Sequence, residues 1–118
     1  MSEYTIFHNP RCSKSRQTLA LLEEHGIAPD VVQYLNDTPD AEELKAILAK
    51  LGLSARDILR TGEAAYKELN LADTSLTEQQ LIEAMTNHPI LIERPIVVKG
   101  GQAIVGRPPE RVLQLINV

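Results

Sequence analysis

The spacing of apolar positions changes twice along this chain. Residues 4–8 are short and β-rich and predict a first strand. Asn9 and Pro10 end it, because proline fixes its own φ and restrains the residue before it. Over residues 13–25, Leu19, Leu21 and Leu22 lie on a mostly polar segment, which predicts a helix stopped by Gly26. Residues 31–35 read as a second strand. Strand, helix and strand within about thirty residues make a βαβ unit, so these two strands are expected to be parallel.

The middle of the chain is helical and polar. Thr38 and Pro39 form an N-cap and N1 pair for a helix through Leu44, Ile47, Leu48 and Leu51, ending near Gly52. Ser54 caps a short helix running toward Arg60 and interrupted at Gly62, and a further brief helix covers 63–69. Thr77 and Gln80 have capping-box spacing for a helix through Leu81, Ile82 and Met85 that stops before Pro89. Together these pieces form a helical block at about 37–89. Strands return at 95–99 and 102–105, which flank the hairpin signal Gly100-Gly101. A turn at 106–109 leads to a final amphipathic helix over 110–116. The order βαβ, helices, ββα predicts an α/β sandwich whose sheet mixes parallel and antiparallel pairs.

Composition narrows the function classes. A chain of 118 residues suits one domain, 1–118, with the helical block inserted into it. Its 43% hydrophobic and 24% charged residues argue against wholesale disorder and coiled coil. With 3% aromatics and no Trp, aliphatic side chains must fill the core. No apolar run approaches the ~20 residues of a membrane helix. The first residues lack the basic-then-apolar layout of a signal peptide, so a cytoplasmic location is expected. A net charge of -4 and a pI of about 5.3 argue against broad nucleic-acid binding.

The chemistry centres on Cys12, the one cysteine. A lone cysteine excludes an intramolecular disulfide, a CxxC pair and any multi-cysteine metal site. It falls between a strand end and a helix start, facing the unpaired N–H groups and positive pole of the first turn. Arg11, Lys14 and Arg16 add positive charge. Thiols in such settings have pKa values of roughly 3.5–7.5, and the same helix terminus suits an oxyanion. A free cysteine is often only a small buried hydrophobe; the basic, polar flanks favour reactivity here. No Walker A sequence is present. Thr18 stands where a cysteine-phosphatase loop needs its arginine.

Three loop arginines are candidate anion ligands: Arg60 before Gly62, Arg94 before Pro95, and Arg107 in a Gly-Arg-Pro-Pro turn. Arginine offers planar, bidentate donors that match phosphate-like anions. Taken singly, a loop arginine is more simply a surface charge. His25 and His88 read as helix-terminal residues. The three histidines share no i, i+4 spacing, so no metal site is expected.

His8-Asn-Pro-x-Cys12, Arg60, Glu93-Arg94-Pro95-Ile-Val-Val and Gly106-Arg107-Pro resemble the glutaredoxin-coupled arsenate reductases, the ArsC family. The resemblance runs from about Tyr4 to Leu115, in the family's order and spacing. It implies a thioredoxin-like mixed sheet with a helical insertion after the second strand. It also implies that Cys12 attacks arsenate, that Arg60, Arg94 and Arg107 hold the oxyanion and stabilise the thiolate, and that His8 and Ser15 tune the sulfur. Pro95 matches the cis-proline of thioredoxin-like folds. Glutathione as co-substrate would attack the arsenic adduct, and glutaredoxin would resolve the mixed disulfide; no bound cofactor, metal or flavin is implied. The electron count agrees: reducing As(V) takes two electrons, and one cysteine cannot form the disulfide that would supply them.

Arg11 and Ser13-Lys14 stand where members from arsenic-resistance operons carry a small residue and Gly-Thr, so the chain resembles the chromosomal branch of the family. Two alternatives compete with arsenate reduction. One is a monothiol oxidoreductase acting on glutathionylated proteins. The other is an Spx-like RNA polymerase-binding regulator, although Ser15 replaces the second cysteine of that redox switch.

Overall fold

The computed structural model of the chain describes residues 3–116. In chain order the elements are β1 (Tyr4–Phe7), α1 (Ser13–Glu24), β2 (Asp30–Val32), α2 (Ala41–Leu51), a 3-10 turn (Ala55–Ile58), α3 (Ala64–Glu68), α4 (Glu78–Asn87), a second 3-10 turn (Pro89–Leu91), β3 (Ile96–Lys99), β4 (Gln102–Val105), a third 3-10 turn (Pro109–Val112) and α5 (Leu113–Ile116). They fall into two compact units. Among the described residues, the first comprises 3–37 and 94–116, and the second Thr38–Glu93.

The first unit holds a four-stranded sheet in the order β2-β1-β3-β4. β1 runs parallel to β2, with Ile6 opposite Val31, and antiparallel to β3, with Ile6 opposite Val97. β3 and β4 form the expected hairpin, Lys99 pairing with Gln102. The sheet is therefore mixed, as the element order requires. Ile6, Leu22, Val97 and Val112 are fully buried together, with Tyr4 and Leu115 beside them. Each such aliphatic side chain contributes about 1.5–3 kcal/mol relative to an exposed one. α1 lies against the 3-10 turn that precedes α5, and Gly26 ends α1 at φ 76°, a conformation costly for any residue with a Cβ.

Two expectations in this unit need adjusting. β2 is three residues long rather than reaching residue 35, because the Gln33 carbonyl accepts the N–H groups of Asn36 and Asp37, each at 2.9 Å, and turns the chain. The last segment is a 3-10 turn followed by α5 rather than one helix over 110–116. Its first bond is the short-range Arg111 N–H to Pro108 carbonyl contact at 3.0 Å.

In the second unit α2 packs on α4, burying Leu44, Ile47 and Leu48 from one and Leu81, Ile82 and Met85 from the other. The N-cap of α2 is Asp40, not Thr38: its carboxylate accepts the Glu43 N–H at 2.8 Å. A carboxylate both satisfies that donor and complements the helix dipole. Thr77 and Gln80 form the expected capping box, with reciprocal bonds of 3.1 and 2.8 Å. The turn after Ser54 ends at Ile58, and Leu59 then pairs with Ile92 as an antiparallel bridge instead of continuing a helix toward Arg60. No helix among the described residues is long and apolar enough to cross a membrane.

Candidate active site

The β1–α1 loop is held by its own side chains. Asn9 Oδ1 accepts the Arg11 N–H at 3.0 Å, and the Asn9 carbonyl accepts the Cys12 N–H at 3.0 Å. With Pro10 restricting φ, this turn delivers Cys12 to the N-cap of α1, at φ -94° and ψ 123°. The thiol is partly exposed.

Opposing effects act on its proton. Partial burial pushes the pKa up; the Ser15 N–H, the Arg94 charge, the Lys14 N–H and a hydrogen bond from Arg94 pull it down and prevail. No backbone N–H closes a capping bond of full geometry on the sulfur. Ser15 and Lys14 therefore act mainly as dipoles aimed at it. The net result is a thiol held below its ordinary pKa.

Two arginines come to that sulfur. Arg94 sits at the entrance to β3, before a cis bond to Pro95, with Nε and Nη1 buried. Arg107 Nη1 lies 4.0 Å from Cys12 Sγ and donates to the Arg94 carbonyl at 3.3 Å. The turn carrying Arg107 is fixed by the Gly106 N–H, which donates to the Pro95 carbonyl at 2.9 Å. On its other side Gly106 meets α1. A Cβ there would stand 2.7 Å from Thr18 Oγ1 and 2.9 Å from Pro95 Cγ. Thr18 is fully buried and donates mainly to the Lys14 carbonyl at 2.8 Å, with the Gly106 carbonyl at 3.4 Å.

His8 is buried, and its Nδ1 shares a 2.6 Å hydrogen bond with Ser15 Oγ. Ser15 Oγ also accepts the Asn9 N–H at 3.0 Å. Burial, then the nearby Arg16 charge, hold the His8 pKa below its ordinary value, which favours the neutral ring. The hydroxyl of Ser15 is thus engaged by His8 and Asn9, and it is the backbone N–H of Ser15 that faces the sulfur. Arg16 Nη1 donates to the Pro10 carbonyl at 2.9 Å, bracing the loop.

Cys12, Arg94, Arg107, His8, Ser15 and Pro95 thus all belong to the first unit. Arg60 belongs to the second. Its N–H donates to the Leu91 carbonyl at 2.8 Å, and its Nε lies 3.9 Å from Glu93 Oε1. Sequence reasoning singles out the arginines but not Thr18 and Gly106 as the pair that seats Arg107. A glycine directly before a chemistry-bearing arginine is the available signal. Beside the same loop, a cleft of about 410 Å³ is lined by His8, Asn9, Pro10, Arg11, Gln33, Leu35 and Asn36.

Comparison with known proteins agrees with these features. The ArsC family matches residues 7–115. The Escherichia coli K12 protein YfgD is 57% identical over 113 residues, covering 95% of each chain. An arsenate reductase of Neisseria meningitidis serogroup A is 55% identical over 113 residues, 95% of this chain and 97% of its own. The solved arsenate reductase of Vibrio cholerae superposes with a TM-score of 0.92 at 57% identity, covering 94% of this chain and 95% of its own. The mixed sheet, with βαβ and ββα halves, is thioredoxin-like. On sequence and fold together, the chain belongs to the ArsC family.

Proposed function

We propose that this protein is an arsenate reductase that works through one cysteine and takes its second sulfur from glutathione. The observation that carries the reading is a thiol of lowered pKa at the N-cap of α1, with Arg94 and Arg107 at the sulfur. Such a thiolate is a nucleophile beside donors suited to an oxyanion. In the first step the Cys12 sulfur bonds to As(V), and one arsenate oxygen leaves as water after protonation. Arsenic keeps its oxidation state. The thiol of glutathione then bonds to arsenic and expels a second water.

Reduction follows when the two sulfurs couple. An S–S bond forms, both As–S bonds break, and arsenic retains one electron pair as As(III). Each sulfur has lost one electron, so the two-electron balance closes. Arsenite leaves, and a glutaredoxin thiol resolves the Cys12–glutathione disulfide. His8 holds the Ser15 hydroxyl, and this steadies the Ser15 backbone N–H that lowers the thiol pKa. Arg60 enters as a third oxyanion ligand on the sequence resemblance alone. Relatives named arsenate reductase at 55% identity support the substrate class.

The test is turnover. Purified chain with arsenate, glutathione and glutaredoxin should release arsenite, and Cys12→Ser should abolish release. Inactivity of the unaltered chain across a wide range of arsenate concentrations would refute the reading.

A further inference from the structure

We propose that the cleft beside the Cys12 loop is the binding site for the thiol co-substrate, and that Arg11 holds a carboxylate of its peptide there. This rests on the external-thiol reading above and assigns the place where that thiol docks. The cleft opens where the carboxyl ends of the parallel strands β1 and β2 lead into their loops. In open α/β sheets this is where ligands collect. Its volume of about 410 Å³ lies within the range that holds a small organic ligand.

The lining selects a peptide-like anion. Asn9, Gln33 and Asn36 offer amide groups, each able to donate to and accept from a peptide bond. Leu35 is 39% exposed and supplies an apolar wall. Arg11 is the cation among the lining residues, none of which is acidic. Its N–H is used by Asn9 Oδ1, while no described residue pairs with its guanidinium. Being next in the chain to Cys12, it borders the nucleophile without being one of the arginines at the sulfur. A tripeptide thiol with free carboxylates meets these demands together: charge at Arg11, peptide groups at the amides, and its sulfur toward Cys12. An inorganic oxyanion would use only the first.

S-methylglutathione, which cannot exchange with Cys12, is the probe. Added to the full reduced chain, it should shift the NMR signals of Arg11 and of the Asn9, Gln33 and Asn36 amides. Arg11→Ala should weaken that binding about fivefold, as expected for loss of an exposed ion pair, and Asn36→Ala should also weaken it while the fold is retained. In turnover, Arg11→Ala should raise the KM for glutathione more than that for arsenate. Binding elsewhere, no binding, or the same shifts produced equally by sulfate would overturn the assignment. If S-methylglutathione binds in the cleft but arsenate is not reduced, the function proposed above fails and the cleft assignment stands. Turnover without these shifts leaves that function standing and removes the cleft assignment.

Discussion

Gly106 and Thr18 meet with no room for a side chain: a Cβ on Gly106 would lie 2.7 Å from Thr18 Oγ1. This contact ties the Arg107 turn to the first half of α1, the helix that Cys12 caps. Thr18 is fully buried, and its hydroxyl is bonded to the Lys14 carbonyl, so it cannot yield cheaply. Gly106→Ala should therefore lower the unfolding free energy by about 1–3 kcal/mol, the usual cost of overpacking. At Gly62 nothing lies within 4 Å of the place a methyl group would take, and Gly62→Ala should not destabilise. Urea unfolding of the two variants side by side checks the contrast.

The Cys12 thiol should ionise at a lower pH than an ordinary cysteine thiol. The pH dependence of its alkylation by iodoacetamide measures this directly. Arg94→Ala should raise the midpoint, since Arg94 contributes both charge and a hydrogen bond. Arg107→Ala should raise it less, because its exposed Nη1 stands 4.0 Å from the sulfur. An unchanged midpoint in Arg94→Ala would show that Arg94 does not activate the thiol.

His8 should titrate below 6.5, with its ring resonances followed by NMR. Because the folded pKa is the lower one, the unfolded chain binds more protons between that value and 6.5. His8 therefore contributes stability that is present above pH 6.5 and lost as pH falls through its folded pKa. Arg16→Ala removes one of the two causes and should move the titration upward.

Asp40→Ala should destabilise the second unit by about 1 kcal/mol, the usual cost of an N-cap loss. Thermal unfolding against the parent chain measures it. The bond from the Glu43 N–H to the Asp40 carboxylate predicts this outcome.

The cap also shows what can be read from sequence and what cannot. The Thr38-Pro39 pair reads as the start of α2, yet the cap lies at Asp40, where the bond from the Glu43 N–H fixes it. The early end of β2 depends on the Gln33 carbonyl taking two N–H groups, a choice that apolar patterning does not record. The setting of Cys12 is legible because it is local: a proline break and a polar helical run suffice to put a residue at a helix start. Arg94 and Arg107 reach it by long-range pairing. Phe7 opposite Ile96 brings residues 94 and 95 to the end of β1 where the Cys12 loop begins. Ile96 opposite Val105 then sets Gly106 and Arg107 beside them. No local period encodes that register, and it is the dispersed family motifs that point to these arginines. The engagement of the Ser15 hydroxyl escapes a local reading for a related reason: its partner His8 lies across the loop, seven residues back.

One sulfur begins the proposed reduction, and an external thiol must complete it. A single-turnover reaction with arsenate and glutathione, omitting glutaredoxin, tests this by mass spectrometry of the chain and assay of arsenite. The expected result is one glutathione in disulfide linkage to Cys12 for each arsenite released, with neither formed when arsenate or glutathione is left out. Arsenite released without glutathione, or released with no adduct on Cys12, would contradict it.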